Sequence, residues 1–313
     1  MKKLHFLLIC AALFLVRCKP GQAQAPDKPL HFLVLGDWGS GRPQQKEIAN
    51  AMARYAQTHA STDPVQWVTL VGDNFYETGV SSVDDPQWKL KFEDVYDTKH
   101  LAVPFIAVLG NHDWGQNPAA EIAYAGTHLG TRWQMDGFYF KRTYGQNPAA
   151  PLADFFYIDT DLWNYHLDRL ADAQMAWLQD GLKNSKARWQ IVVGHHPLYS
   201  NGEHGHDKEI LALREKLALL FKQYGVDAYL CGHEHDLERN QVAGEPTLFL
   251  ISGAGGKLRP KSFDDFGPFY ASSAGFASIS ITPDALSGEF LDSKLQTLDS
   301  WKIQPAPALA TAP

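Results

Sequence analysis

The segment Val68-Thr69-Leu70-Val71-Gly72-Asp73-Asn74-Phe75-Tyr76 decides the fold, because a short apolar run passes through one glycine directly into polar side chains. A short apolar run that ends at a turn residue is typical of a buried strand. Glycine lets the chain turn sharply, so Asp73 and Tyr76 stand just beyond the carboxyl end of that strand. Ligands bind at this position in open α/β sheets. The segment therefore predicts a strand that ends in a binding site.

Four other apolar runs end in the same way, each with a glycine followed by polar groups. These ends are Gly36-Asp37-Trp38-Gly39, Gly110-Asn111-His112-Asp113, Gly194-His195-His196 and Gly232-His233-Glu234-His235. Taken singly, each pattern is more often a turn than a set of ligands. Together they supply oxygen and imidazole donors without sulfur, which suits iron, zinc or manganese. Five such ends predict one site that holds two metal ions.

Strand-like runs alternate with helix-like periodic segments along the rest of the chain, which predicts a layered α/β architecture. The predicted strands are 30–36, 67–72, 105–110, 155–159, 189–194, 226–232, 247–252 and 276–281, and the predicted helices are 44–59, 87–96, 172–183 and 208–224. The segment 115–151 is rich in Gly, Asn, Pro and aromatic residues. We expect it to form a long loop with a short hairpin near 138–142.

The first 25 residues have the order of an export signal, with Lys2 and Lys3, an apolar run over 4–16, and Ala23-Gln24-Ala25 at the end. The apolar run is too short to span a bilayer as a permanent helix. We expect a secreted protein, or one of the periplasm or cell envelope. A lipid anchor at Cys18 is the alternative.

The remaining chain is expected to form a single domain over 26–303, followed by a flexible Pro/Ala-rich tail over 304–313. The formal net charge of −7 argues against nucleic acid and anionic membranes as partners, because an acidic surface repels them. We therefore expect a small-molecule substrate rather than a nucleic acid or a membrane. We also expect the protein to be a monomer. Two of the three cysteines fall in the export signal, so an internal disulfide and a cysteine metal cluster are excluded from the mature chain.

The five glycine-ended segments match, in order, the pattern of the purple acid phosphatases within the calcineurin-like metallophosphoesterases. The sequence most resembles the small, mammalian-type tartrate-resistant acid phosphatases, and the likeness covers 30–281. Glu203-His204-Gly205 and Ser252-Gly253-Ala254-Gly255 add to it, and Tyr76 sets purple phosphatases apart from most other metallophosphoesterases. The resemblance implies a four-layer α/β/β/α sandwich of two mixed sheets flanked by helices.

The resemblance also implies two sets of metal ligands bridged by Asp73. The ligands are Asp37, Tyr76 and His235 for the first ion, and Asn111, His195 and His233 for the second. The first set carries anionic oxygens, which stabilise a higher oxidation state, so Fe(III) fits it. The second set is largely neutral and suits a divalent ion, Fe, Zn or Mn.

The activity that follows is that of an exported acid phosphatase, which hydrolyses phosphate monoesters by direct attack of a metal-bound hydroxide. By the same resemblance, His112 and His204 position the phosphate or protonate the leaving alkoxide, and Asp113 orients His112. His196 either contacts the substrate or supports a ligand. A phosphodiesterase or nucleotide-specific phosphohydrolase on the same metal core is the alternative activity. A redox protein and a metal-binding module without turnover are the alternatives outside the hydrolases.

Overall fold

The computed structural model describes residues 27–260 and 265–305. The expected export signal at 1–25, the alternative lipid anchor at Cys18 and most of the tail at 304–313 lie outside the described residues. Among the residues that are described, no helix has the length and apolar character needed to cross a membrane.

The described strands form two mixed sheets of seven strands each. In chain order they are β1 (Leu30–Leu35), β2 (Trp67–Leu70), β3 (Phe105–Ala107), β4 (Trp133–Gln134), β5 (Phe140–Tyr144), β6 (Ala153–Tyr157), β7 (Trp189–Val193), β8 (Ala228–Cys231), β9 (Leu237–Asn240), β10 (Leu248–Ser252), β11 (Phe269–Ala271), β12 (Gly275–Ile281), β13 (Leu286–Asp292) and β14 (Thr297–Ile303). The first sheet has the order β14-β13-β12-β1-β2-β3-β4, and the second has the order β11-β9-β10-β8-β7-β6-β5.

The helices lie on the outer faces of the sheets and at their ends. They are α1 (Pro43–His59), α2 (Pro118–Thr127), α3 (Asp161–Asn164), α4 (Asp168–Asn184) and α5 (Lys208–Tyr224), with one π-helical turn at Trp88–Glu93 and one 3₁₀ turn at Asp113–Gly115. The helix predicted over 208–224 is confirmed in full. The segment predicted as a helix over 87–96 is the π-helical turn.

The parallel parts of the two sheets bring the glycine-ended segments together. In the first sheet β1, β2 and β3 are parallel neighbours, and in the second β7 is parallel to β8. Parallel strands all end at the same edge of their sheet. The ends of β1, β2 and β3 therefore share one edge, and those of β7 and β8 share another.

The main core lies between the two sheets. Phe32 of β1 stacks on Trp67 of β2 with ring centroids 4.6 Å apart, and it meets Phe155 of the second sheet edge-on at 5.4 Å. Leu33 points the other way and shares its face with its cross-strand partner Ser278, whose hydroxyl lies 2.7 Å from that of Tyr55 on α1. Helix α1 thus covers the outer face of the first sheet.

The inner strands β6, β8 and β10 of the second sheet are buried on both faces. Phe155 packs into the core between the sheets, whereas Phe156 joins Tyr229 in a second core with Leu178 of α4 and Phe221 of α5. Because neighbouring residues of a strand point to opposite faces, one apolar run serves both cores. The four-layer α/β/β/α sandwich of two mixed sheets is confirmed.

The segment 115–151 is not the long loop that its composition suggested. It contains α2, whose Tyr124 stacks on Trp88 with ring centroids 3.6 Å apart, and the short strand β4. The expected hairpin near 138–142 is also corrected, because β5 pairs with β6 in the register Phe140↔Tyr157. Packing against distant aromatic rings, rather than local sequence, stabilises these elements.

Candidate metal centre

The five glycine-ended segments meet where the edges of the two sheets face each other. The amide of Gly36, after β1, donates to the carbonyl of Ser252 at the end of β10, at 2.7 Å. The amide of Asp37 donates to the carbonyl of Gly72 at 3.0 Å, and that of Gly232 donates to His195 at 3.0 Å. These backbone bonds bind the loops to one another within each sheet and across the two sheets.

The first expected ligand set converges on the phenol of Tyr76. Its oxygen lies 3.1 Å from Oδ1 of Asp37, 2.9 Å from Oδ2 of Asp73 and 3.0 Å from Nε2 of His235. Nε2 of His235 is also 3.4 Å from Oδ1 of Asp37. Three oxygens and one imidazole nitrogen therefore surround a single point, and all four side chains are buried.

The second expected set converges on the amide of Asn111. Its Oδ1 lies 3.2 Å from Nε2 of His195 and 3.1 Å from Nδ1 of His233. Nε2 of His195 lies 3.4 Å from Oδ1 of Asp73. The two oxygens of Asp73 thus face different sets, as a bridging carboxylate requires. The structure brings all seven expected ligands together, while their coordination of metal stays a prediction.

The glycine of the deciding segment is required by a close approach. Gly72 has φ +90°, and a Cβ at this position would lie 2.5 Å from Nδ1 of His195. That nitrogen is 2.9 Å from the carbonyl of Val71, so it carries the proton and donates. Nε2 is then unprotonated, and its lone pair is directed at Asn111 and Asp73. A histidine in this tautomer can bind a metal ion through Nε2.

Three of the expected ligands have an unusual backbone. Asp37, Asp73 and His233 have φ of 56°, 51° and 69°. Non-glycine residues rarely adopt this left-handed region, and such residues cluster at functional sites. The strain coincides with the residues whose side chains must converge.

The electrostatics of the centre fit a pair of cations. Burial raises the pKa of Asp37 to about 8. Burial, with Asp37 and Asp73 beside it, raises the pKa of Tyr76 well above its usual range. Burial, reinforced by Arg259, lowers the pKa of His235 to about 3. Neutral imidazoles bind metal ions, and a bound cation takes the place of the protons that buried acids otherwise retain.

His112 lies at the open side of the first set. Its ring is 4.4 Å from the ring of Tyr76, its Nδ1 donates to the carbonyl of Glu77 at 2.5 Å, and its Nε2 lies 3.9 Å from Oδ2 of Asp73. The side chain remains 26% exposed, so it can reach a bound molecule.

Asp113, which we expected to orient His112, contacts backbone amides in the structure. The buried carboxylate of Asp113 accepts hydrogen bonds from the backbone amides of Asn74 at 2.8 Å, Phe75 at 3.0 Å and Gly110 at 2.8 Å. Asp113 points into the protein, where these amides are otherwise unsatisfied, and not toward the imidazole. It therefore positions the two loops that carry Asp73 and Asn111.

His204 lies on the other side of the opening, with its ring 4.8 Å from that of His233. Its Nδ1 is 2.8 Å from Oδ2 of Asp207, so the second ring nitrogen is directed away from this carboxylate. Sequence reasoning missed Asp207. The signal was present, because Asp207 lies three residues after His204 and carboxylates often accept the second ring N–H of a histidine at such sites.

The surroundings of His196 bear on the two roles expected for it. The residue is only 4% exposed. Its Nδ1 is 2.7 Å from the hydroxyl of Thr160, and its Nε2 is 3.2 Å from Nδ2 of Asn164. The ring packs against His233 with centroids 4.4 Å apart. Because both nitrogens have partners within the protein, this geometry favours support of a ligand over contact with a substrate.

Comparisons with known proteins identify the family of this chain. A family model described as calcineurin-like phosphoesterase matches residues 30–237. Purple acid phosphatase 4 of Arabidopsis thaliana is 32% identical over 302 residues, which cover 89% of this chain and 85% of that protein. Tartrate-resistant acid phosphatase type 5 of Sus scrofa is 32% identical over 309 residues, which cover 89% of this chain and 88% of that protein.

Among solved structures, GAP50, described as the anchor in the inner membrane complex of Plasmodium, superposes with a TM-score of 0.79. It is 26% identical, with 89% of this chain and 90% of that chain covered. A protein described as an anchor shares this fold with proteins named as phosphatases. The fold alone therefore does not decide the function, and the side chains of the site must.

Proposed function

This chain belongs to the calcineurin-like phosphoesterase family, as a relative of the purple acid phosphatases, and from that premise we propose that it hydrolyses small phosphate monoesters at a dinuclear metal centre. The observation that carries the proposal is the position of Asp73. Its two carboxylate oxygens face two different donor sets, at 2.9 Å from Tyr76 and 3.4 Å from His195. One carboxylate between two convergent sets is the arrangement that a pair of ions needs.

The unequal composition of the two sets supports unequal ions. The first set combines the carboxylates of Asp37 and Asp73 with the phenol of Tyr76, and we assign Fe(III) to it. The second set combines one carboxylate oxygen of Asp73 with the neutral side chains of Asn111, His195 and His233. We assign to it a divalent ion, Fe, Zn or Mn. When bound, two such ions would polarise the phosphate and lower the pKa of a water molecule.

The chain's own residues supply the remaining chemistry. The oxygen of water forms a bond to phosphorus as the bond from phosphorus to the ester oxygen breaks. His204, oriented by Asp207 at 2.8 Å, gives a proton to the departing oxygen. The attacking water releases one proton to solvent, and His204 later takes up one proton from solvent, so that protons and charge balance over the cycle. His112, held by the carbonyl of Glu77, hydrogen-bonds a phosphate oxygen from the opposite side of the opening.

Further parts of the proposal concern the whole protein. We propose that the chain is exported, because residues 1–25 have the order of an export signal. We also propose that 26–303 forms a single domain and that the enzyme is a monomer. Determination of the amino-terminal residue of the secreted protein tests export, size exclusion tests the monomer, and a single cooperative unfolding transition tests the single domain.

Turnover of three substrates tests the activity. Phenyl phosphate, a nucleoside monophosphate and bis-phenyl phosphate are compared at equal metal content. We expect phenyl phosphate and the nucleotide to be hydrolysed with similar kcat/KM, and the diester to be much slower. Preference for the diester would replace the proposal with a phosphodiesterase, and preference for the nucleotide alone would indicate a nucleotide-specific enzyme.

A further inference from the structure

The proposed proton donor lies on a loop without regular structure. The loop at 198–207, here called the His204 loop, joins the segment after β7 to α5 and contains neither helix nor strand. A loop of this kind depends on other elements for its position. The distance between His204 and the metal centre must therefore be fixed by contacts outside the loop.

The beginning of the His204 loop is held by a buried glutamate of β9. Oε1 of Glu238 lies 3.0 Å from the hydroxyl of Ser200, and Oε2 accepts hydrogen bonds from the backbone amide of Asn201 at 2.8 Å and from its side chain at 3.0 Å. Oε2 also accepts from the side-chain amide of Asn240 at 2.7 Å. Glu238 is fully buried, and both of its oxygens are engaged.

His204 itself is held by a second buried glutamate, Glu234, which lies between the expected metal ligands His233 and His235 in the sequence. Oε1 of Glu234 accepts the backbone amide of His204 at 2.6 Å, and Oε2 lies 4.0 Å from Nη1 of Arg259. The same Nη1 donates to the carbonyl of His233 at 2.8 Å. One guanidinium thus lies near the carboxylate of Glu234 and binds the backbone of an expected ligand.

The fit between Glu234 and the loop leaves no room for a side chain. A Cβ on Gly202 would overlap the carboxylate of Glu234. Glu234 and Glu238 stand four residues apart on one chain segment, and together they hold the His204 loop at its beginning and at His204 itself. We call this pair the carboxylate clamp.

We propose that the carboxylate clamp sets the position of His204 relative to the metal centre, which makes Glu234 and Glu238 positioning residues for proton transfer to the leaving oxygen. The inference rests on the proposed function. Its physical basis is that one short segment, 233–238, carries His233, His235 and both clamp residues. A displacement of about 1 Å in such a site can cost up to about 100-fold in rate.

The test compares leaving groups, because a proton donor matters most when the leaving oxygen is strongly basic. Rates are measured for p-nitrophenyl, phenyl and a simple alkyl phosphate. For His204→Ala we expect the alkyl phosphate to slow by about 100-fold or more and p-nitrophenyl phosphate to slow far less. Glu234→Ala should show the same dependence with a loss of up to about 100-fold.

Two further variants separate positioning from general damage. Glu234→Gln keeps an oxygen that can accept the amide of His204, so it should recover most of the alkyl phosphate activity. Glu209→Gln, which changes an exposed glutamate in the first turn of α5, should behave as the unmodified enzyme. Metal content, measured in every variant, should be unchanged. If Glu234→Ala does not fold, Glu238→Gln is the second test, with a smaller change in the same direction.

The possible results are distinct. Equal slowing of all three esters by Glu234→Ala, or loss of metal from it, would overturn the inference, since either would show damage to the centre itself. An unchanged leaving-group dependence would overturn it as well. Failure of the unmodified enzyme to hydrolyse any ester would instead refute the proposed function.

Discussion

At the scale of single residues, Tyr76 is the most informative side chain of the centre. Its phenol oxygen contacts Asp37, Asp73 and His235, each within 3.1 Å, and it is buried. Without a cation, the deprotonated form of Tyr76 is unfavourable, because burial and the carboxylates of Asp37 and Asp73 raise its pKa. A trivalent cation would reverse that balance, since it stabilises the phenolate directly.

Replacement of Tyr76 by phenylalanine should therefore remove a visible absorption band. A ferric phenolate absorbs visible light through charge transfer, and phenylalanine cannot form the bond. We expect Tyr76→Phe to lose the colour of the metal-loaded protein. Absorption spectra recorded at equal iron content test this. Tyr270→Phe serves as a control at a tyrosine outside the ligand sets, and full retention of the band in Tyr76→Phe would contradict the assignment of Fe(III) to this tyrosine.

Replacement of Gly72 by alanine should destabilise the protein and reduce its metal content. The residue has φ +90°, and the new methyl group would overlap the ring of His195. The backbone conformation alone costs about 1–3 kcal/mol for a residue other than glycine. Urea denaturation and metal analysis measure the two effects.

The matched control for Gly72→Ala is Gly126→Ala. Gly126 lies in α2, and a Cβ there would meet nothing within 4 Å. Alanine in a helix is more stable than glycine by roughly 0.5–1 kcal/mol, so this variant should be unchanged or slightly stabilised. Equal stability of the two variants would show that the close approach to His195 is not a constraint.

At the scale of elements, the turn before the π-helical segment depends on Asp85. Its Oδ2 accepts the amide of Ser81 at 2.8 Å, and its Oδ1 accepts the amide of Gln87 at 2.9 Å. Partial burial raises the pKa of Asp85, but these hydrogen bonds outweigh it and lower the pKa below 3.8. An acid with a lowered pKa in the folded state stabilises the protein above its unfolded pKa, and this contribution is lost as the pH falls through the folded pKa.

Asp85→Asn should therefore lower the urea midpoint near pH 6 and have progressively less effect below about pH 4. Asparagine has nearly the same shape as aspartate and keeps one acceptor oxygen, but it does not titrate, so the pH dependence of the difference reports the ionisation of Asp85. Urea midpoints at several pH values, with the exposed Asp84→Asn as a control, measure the difference. A difference that stays constant from pH 6 to pH 3 would show that the titration of Asp85 does not contribute.

Elements also differ in how well the sequence predicts them. Helix α5 is predicted in full because its apolar residues repeat at helical spacing, and Gly225 ends it in the left-handed conformation with φ 67°. Strand β9 was not predicted. It carries Glu238 and Asn240, which are buried only because distant segments satisfy them. Local periodicity contains no information about such partners.

At the scale of the whole molecule, the expected ligands come from both sheets. Asp37, Asp73, Tyr76 and Asn111 follow strands of the first sheet, whereas the three ligand histidines follow strands of the second. Bound ions would therefore connect the edges of the two sheets. Without them, the buried carboxyl groups of Asp37 and Asp73 lie close to each other, and their repulsion and desolvation oppose folding.

Removal of the metal should therefore lower the melting temperature. A ligand at about 100 times its Kd stabilises a protein by about 2.7 kcal/mol, and for a domain of this size each kcal/mol shifts Tm by about 2–4 °C. We expect metal-free protein to melt roughly 5–10 °C lower, with recovery after iron and zinc are restored. Calorimetry with metal analysis tests this. In the variant Asp73→Asn, which lacks the proposed bridging carboxylate, removal of metal should change the melting temperature little. An unchanged Tm in fully depleted protein would contradict the argument.

The sequence by itself determined the layered class and the kinds of donor at the site. Apolar runs that end in glycine follow from local sterics and burial, so Asp37, Asp73, Asn111, His195 and His233 could be placed at strand ends without a structure. Only the tertiary structure decided which groups meet. Asp113 binds amides of the loop after β2, His196 binds Thr160 and Asn164, and Glu234 holds the loop of His204. The reason is physical: a buried polar side chain must find its partner in space, and that partner comes from whichever distant segment the packing of the two sheets brings beside it.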